Sequence, residues 1–126
     1  MPRRILIADD SAATRRIVRS HLEKSPDLEI CGEAADGEQA IALVHELNPD
    51  AVVLDFSMPA MNGLDAAQQI AELYPDTRVV LFTAHDTVLV RNRAVRAGVR
   101  AVVVKDGKAS LEALQRALAG DEPAAA

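Results

Sequence analysis

The 126-residue sequence predicts a single α/β domain, a doubly wound parallel sheet with helices on both faces. Three observations carry that reading. Short apolar runs recur about every 25 residues and a segment of helical periodicity follows each, which is the signature of βαβ units with right-handed crossovers. Hydrophobic residues make up 49% of the chain but aromatics only 2%, so the core must be built from Val, Leu, Ile and Ala, as in small parallel sheets. Four of the five runs stop at residues that carry chemistry, namely Asp9 with Asp10, Asp55, Thr83 and Lys105. In an open parallel sheet, ligands bind at the C-terminal edge, where those four stops would lie together.

The elements follow in order. Ile5 to Ala8 is the first strand, and Ser11 can cap a helix whose apolar face is Ile17, Val18, His21 and Leu22, stopped by Pro26. His21 on that face reads as a packed histidine. Leu28 to Ala35 is a mixed strand, and Asp36 with Gln39 resembles a capping box opening a helix with inner residues Ala40, Leu43, Val44 and Leu47. Asn48-Pro49-Asp50 turns the chain into the buried strand Val52 to Leu54, which ends at Asp55. Pro59 and Asn62-Gly63 cannot continue a strand, so the chain leaves the sheet in a loop beside Asp55. Leu64, Ala67, Ile70, Ala71 and Tyr74 mark the third helix, and Val79 to Phe82 a buried strand ending at Thr83. Thr87 to Ala97 is helical with a thin stripe of Val88 and Val95, and Gly98 suits the position after its end. Ala101 to Val104 is the last strand, Leu111, Leu114 and Leu118 a terminal helix. The domain is expected to span residues 1–120, with 121–126 a disordered tail.

Composition narrows the function classes. A net charge of −5 argues against direct nucleic-acid binding or a membrane-surface role for this domain. The lone Cys31 can form neither an internal disulfide nor a multi-cysteine metal site, and it reads as a small core residue. No apolar segment approaches the roughly 20 residues of a membrane span, so a cytoplasmic setting is expected.

Asp9, Asp10 and Asp55 at one sheet edge would repel one another by roughly 4 kcal/mol per pair at 4 Å and an effective dielectric near 20. A divalent cation would compensate. All the available ligands are oxygens, which favours Mg2+ retaining several waters over Zn2+. Lys105 is a point charge suited to a phosphate oxygen, and Thr83 can donate a hydrogen bond to one. That leaves Asp55 as the nucleophile that would form an aspartyl phosphate.

With these residues the chain resembles a response-regulator receiver domain over essentially its whole length. The matching residues are Asp9-Asp10, Asp55 in a D-x-x-M-P-x-M-[DN]-G pattern, Thr83-Ala84 and Lys105. The E-A-A-D-G-E-Q-A segment from Glu33 and the Lys105-Asp106 pair look like receivers that precede LuxR-type helix-turn-helix outputs. The resemblance implies a flavodoxin-like (βα)5 fold with strand order 2-1-3-4-5. It implies phosphoryl transfer to Asp55 from a phosphohistidine on a sensor histidine kinase or histidine phosphotransfer protein. It further implies that Asp10, Asp55 and the Ser57 carbonyl bind Mg2+, Asp9 acting through water and the Ala84 N–H meeting the phosphoryl group. Output, or self-association, is expected through the fourth helix, fifth strand and fifth helix. Two departures stand out. Val102 replaces the usual switch aromatic, and Asp106 replaces the proline that commonly follows the lysine, so a cis bond there is not expected.

Two rival readings share these residues. A haloacid-dehalogenase-like phosphatase would use the same nucleophile and cation but carries a second Asp two residues on, where this chain has Ser57. A phosphorylation-independent interaction module would have lost part of the acidic cluster, which is complete here. The resemblance implies a phosphoacceptor and not an enzyme, either self-standing or the receiver of a DNA-binding regulator. Two surface features complete the reading. Arg91, Arg93, Arg96 and Arg100 form a basic cluster suited to an acidic surface, and Ser57 and His85, each two positions past a site residue, are expected to overhang the acceptor and influence hydrolytic water.

Overall fold

In a computed structural model, the protein is described over residues 1–59, 61–84 and 87–120. The expectations for His85 and for the 121–126 tail lie outside the described residues. Five strands, β1 (Arg3–Ala8), β2 (Leu28–Ala34), β3 (Ala51–Leu54), β4 (Arg78–Thr83) and β5 (Ala101–Val104), alternate with five helices. The helices are α1 (Ala12–Leu22), α2 (Gly37–Leu47), α3 (Gly63–Leu73), α4 (Val88–Arg96) and α5 (Gly107–Ala119). All strand pairs are parallel, in the order β2-β1-β3-β4-β5. The expected doubly wound, flavodoxin-like sheet is thus the one formed.

Alternate residues of the central strands face opposite layers, which is why those strands read as continuous apolar runs. Leu6, Val52, Leu54, Val79 and Leu81 pack on one side with α2, α3 and α4. Ile5, Ile7, Val53, Val80 and Phe82 pack on the other with α1 and α5. Local capping agrees with the sequence. Ser11 accepts from the Thr14 N–H, and Asp36 accepts from Gln39 N while the Gln39 side chain accepts from Ala35 N, closing a reciprocal cap. Asn48 ends α2 in the left-handed region, and Gly98 does the same after α4 at φ +88. There is no cis peptide among the described residues, Lys105-Asp106 included.

Three expectations are corrected. Ile17 is 57% exposed although Val18 and Leu22 are buried, because α1 meets α5 at its flank and leaves Ile17 in the wall of a cleft of about 440 Å3 beside Phe82, Lys105 and Leu111. On α4 the buried residues are Val90, Ala94 and Ala97, while Val88 and Val95 are 76% and 71% exposed. The true inner face lies two positions away from the expected stripe, roughly 200° around the helix, and its two alanines left little apolar signal. Cys31 is only half-buried: it is the extra residue where the β1–β2 register shifts, and its thiol donates to the Ile5 carbonyl at 3.5 Å. Tyr74, the C-cap of α3, packs against the same core cluster as Leu64, Ala67 and Ile70, as expected, and its hydroxyl lies 2.6 Å from His45 Nδ1. His21 is packed as expected, its Nε2 buried without a hydrogen-bond partner among the described residues. No helix among the described residues is long and apolar enough to cross a membrane.

Candidate functional site

The site forms where β1, β3, β4 and β5 end together. The ladder sets the spacing: Asp9 N donates to the Ala34 carbonyl, Asp55 N to the Ala8 carbonyl and Lys105 N to the Thr83 carbonyl. Asp9, Asp55 and Lys105 are therefore each the first residue past their strand, held by a neighbour's backbone. One oxygen from each of Asp9, Asp10 and Asp55 lies within 4.8 Å of the others. Asp9 and Asp55 are buried and Asp10 is exposed, so the cluster is closed below and open above.

Lys105 crosses from β5 to hold the two buried acids. Its Nζ is 2.9 Å from Asp9 Oδ2 and 3.2 Å from Asp55 Oδ1, and it lies 5.6 Å from the centre of the Phe82 ring, within cation–π range. The other Asp9 oxygen accepts from the Ser11 N–H at 2.9 Å. Burial raises the Asp55 pKa above the ordinary carboxylate range, the Asp9 and Asp10 charges add to the rise, and Lys105 opposes it. Burial alone would lower the Lys105 pKa, but its hydrogen bond to Asp9 and the charges of Asp55 and Asp9 outweigh that and raise it. One ammonium is thus shared between two buried carboxylates, and the third, Asp10, forms no ion pair among the described residues.

The donors fit a hard divalent cation. Three carboxylates converge with no histidine or cysteine among them, and the exposed Asp10 leaves room for retained waters, as Mg2+ requires. Thr83 is fully buried at its strand end, Ala84 beyond it is exposed, and Ser57 is exposed in the loop after Asp55. All the site residues expected from sequence that fall among the described residues therefore gather at one edge.

Several supporting residues escaped the sequence reading. Met58, 8% exposed, anchors the acceptor loop in the core. Gly63 N donates back to the Phe56 carbonyl at 2.9 Å, and Asn62 caps α3 by accepting from Asp65 N. A Cβ on Gly63 would stand 2.1 Å from the Asp55 carbonyl oxygen, so the start of α3 is pressed against the acceptor's own backbone. The M-P-x-M-N-G spacing from Met58 signals a turn, but nothing in it reports that close approach.

Comparison with known proteins agrees with this geometry. The family model described as "Response regulator receiver domain" matches residues 5–118. The chemotaxis protein CheY of Thermotoga maritima is 34% identical over 118 residues, 92% of this chain and 98% of that protein. The nitrate/nitrite response regulator protein NarL of Escherichia coli is 36% identical over 124 residues, 95% of this chain but 56% of that protein. A protein-glutamate methylesterase/protein-glutamine glutaminase of Pyrococcus abyssi is 49% identical over 72 residues, and the match covers only 20% of its length. The matches thus span from a fifth to just over half of these longer relatives. Among solved structures, the response regulator domain of Thermotoga maritima CheB superposes with a TM-score of 0.87 at 27% identity, covering 98% of this chain and all of that one.

Proposed function

The chain belongs to the response regulator receiver domain family, and from that premise we propose that it accepts a phosphoryl group onto Asp55 from a phosphohistidine of a sensor histidine kinase or histidine phosphotransfer protein, with Mg2+ bound, and thereby switches partner binding. The observation that carries this reading is a buried Asp55 carboxylate 3.2 Å from Lys105 Nζ at the centre of a three-acid cluster. An Asp55 oxygen bonds phosphorus as the phosphorus–nitrogen bond of the donor breaks, the electron pair staying on the imidazole nitrogen. Lys105 moves its charge from the acids to a phosphoryl oxygen. The Thr83 hydroxyl and Ala84 N–H donate to the others. Asp10, Asp55 and the Ser57 carbonyl would hold Mg2+, which supplies charge neutralisation. Asp9 has one oxygen on Ser11 N and the other on Lys105, which supports its acting through water.

Acetyl phosphate with Mg2+ provides the test. A single adduct per chain that decays slowly is expected. Rapid turnover of many phosphate esters would mean a phosphatase, and absence of any adduct would mean a phosphorylation-independent module.

The output surface follows from α4. Arg93, Arg96 and Arg100 are exposed and their side chains make no polar contact with the described residues, and α4 also exposes Val88, Leu89 and Val95. Val102 lines a groove of about 300 Å3 between α4 and β5 where the family usually places an aromatic. This combination suits an acidic partner surface bearing apolar side chains. Arg96→Glu with Arg100→Glu should weaken such a complex by about tenfold or more at low ionic strength, with the difference shrinking as salt rises. A Kd unchanged at low salt would leave these arginines as a solvated face.

A further inference from the structure

Arg15 lies one turn into α1, yet its guanidinium reaches back to the site. Nη1 donates to the Asp9 main-chain carbonyl at 2.6 Å, and Nε donates to Glu33 Oε1 at 3.0 Å. The second Glu33 oxygen is occupied by Arg19 Nη1 at 2.6 Å. Arg19 first, then burial acting against it, then Arg15 account for the lowered Glu33 pKa, so the carboxylate stays ionised across the neutral range. Arg15 is mostly shielded, with 19% of its side chain exposed.

The carbonyl that Arg15 holds belongs to the peptide joining Asp9 to Asp10. Asp10 is the exposed member of the acidic cluster, and its side chain has no partner among the described residues. Asp9, by contrast, is fixed through its side chain by Ser11 and Lys105 and through its N–H by Ala34. Only backbone constraint is left to aim Asp10, and Arg15 supplies it one bond upstream. A planar guanidinium carries its donors at set angles, so it ties a carbonyl and a carboxylate together in one fixed geometry.

We infer that Arg15, oriented by Glu33, is a positioning residue that presets Asp10 for the divalent cation. The inference rests on the Mg2+-dependent reading above. Preset ligands bind more tightly because their ordering is complete before the cation arrives, and loss of such outer partners elsewhere weakens metal binding by about 10- to 100-fold.

Calorimetric Mg2+ titration of the full chain tests it. Arg15→Gln should weaken Mg2+ binding about tenfold. Arg19→Gln, which removes a partner of the same carboxylate without touching the site, should stay within about twofold, and Glu33→Gln should shift in the direction of Arg15→Gln by less. In acetyl-phosphate labelling, Arg15→Gln should raise the half-saturating Mg2+ concentration and leave the limiting rate unchanged. The Ser11 amide, which closes the turn onto Asp9, should exchange its hydrogen faster in Arg15→Gln. An Arg15→Gln affinity equal to wild type, an equal loss in Arg19→Gln, or a reduced limiting rate at unchanged half-saturation would overturn the assignment. Wild-type protein that binds no Mg2+ would instead remove the reading on which it rests, and unaltered Ser11 exchange in Arg15→Gln would then overturn the clamp by itself.

Discussion

Asp55→Asn should abolish phosphoryl acceptance and, without Mg2+, should make the domain more stable than the wild type at neutral pH. Loss of labelling follows because an amide oxygen is a far weaker nucleophile than a carboxylate, while the near-isosteric side chain leaves the strand end packed. Stabilisation follows from the raised Asp55 pKa, which burial pushes up and the Lys105 charge only partly opposes. A carboxyl with a raised native pKa holds its proton more tightly folded than unfolded. Its contribution is therefore complete below the unfolded pKa and is lost as pH rises through the native value, leaving a net cost at pH 7. Asparagine removes that cost, and Lys105 keeps Asp9 as its partner at 2.9 Å. The gain should appear as a higher Tm of the variant in metal-free buffer at pH 7. It should shrink as pH falls through the native Asp55 pKa, and Mg2+ should stabilise the wild type more than the variant. Thermal denaturation at several pH values, with and without Mg2+, reads both. A variant that labels at the wild-type rate, or that melts below wild type in metal-free buffer at pH 7, contradicts the account.

Gly63→Ala should damage both fold and chemistry. Gly63 does not have a positive φ, so the constraint is not dihedral freedom. It is space: the new Cβ would sit 2.1 Å from the Asp55 carbonyl oxygen and 2.8 Å from its carbon, both rigid backbone atoms. Either α3 withdraws, uncovering Leu64 and Ala67, or the Asp55 backbone moves. Overpacking of this kind costs about 1–3 kcal/mol or more, which is about 4–12 °C in Tm. Displacing the acceptor by about 1 Å should slow labelling by about 100-fold at temperatures where the variant is still folded. Gly107 is the control. A Cβ there meets nothing within 4 Å, and only its φ of +68 opposes a side chain, so Gly107→Ala should cost about 1–2 kcal/mol. Equal melting temperatures for Gly63→Ala and wild type would mean that the approach relaxes freely.

Much of this molecule was legible from local pattern. Strands that are buried on both faces have to be runs such as Val52 to Leu54, and a charged residue directly after one has to leave the core at the sheet edge. Asp9, Asp55, Thr83 and Lys105 could therefore be assigned to one edge from their positions in the chain. Caps were equally visible at Ser11, Asp36 and Gly98, because their hydrogen bonds and dihedrals involve residues at most a few positions apart.

What depends on distant partners was not visible. The inner face of α4 turned out to be Val90, Ala94 and Ala97 because α3 and the sheet approach from that side, and periodicity cannot say which of two apolar stripes a neighbour will cover. Ile17 is exposed because α5 reaches only part of α1. The sharing of Lys105 between Asp9 and Asp55, the pressure of Gly63 on the Asp55 carbonyl and the reach of Arg15 from Glu33 to the Asp9 carbonyl each join groups on different elements. Sequence by itself determined the sheet, its order of layers and the residues at its edge, since those follow from spacing along the chain. Only the tertiary structure decided which faces are covered and how the acids are held, since distances between elements are set by packing and leave no trace in local pattern.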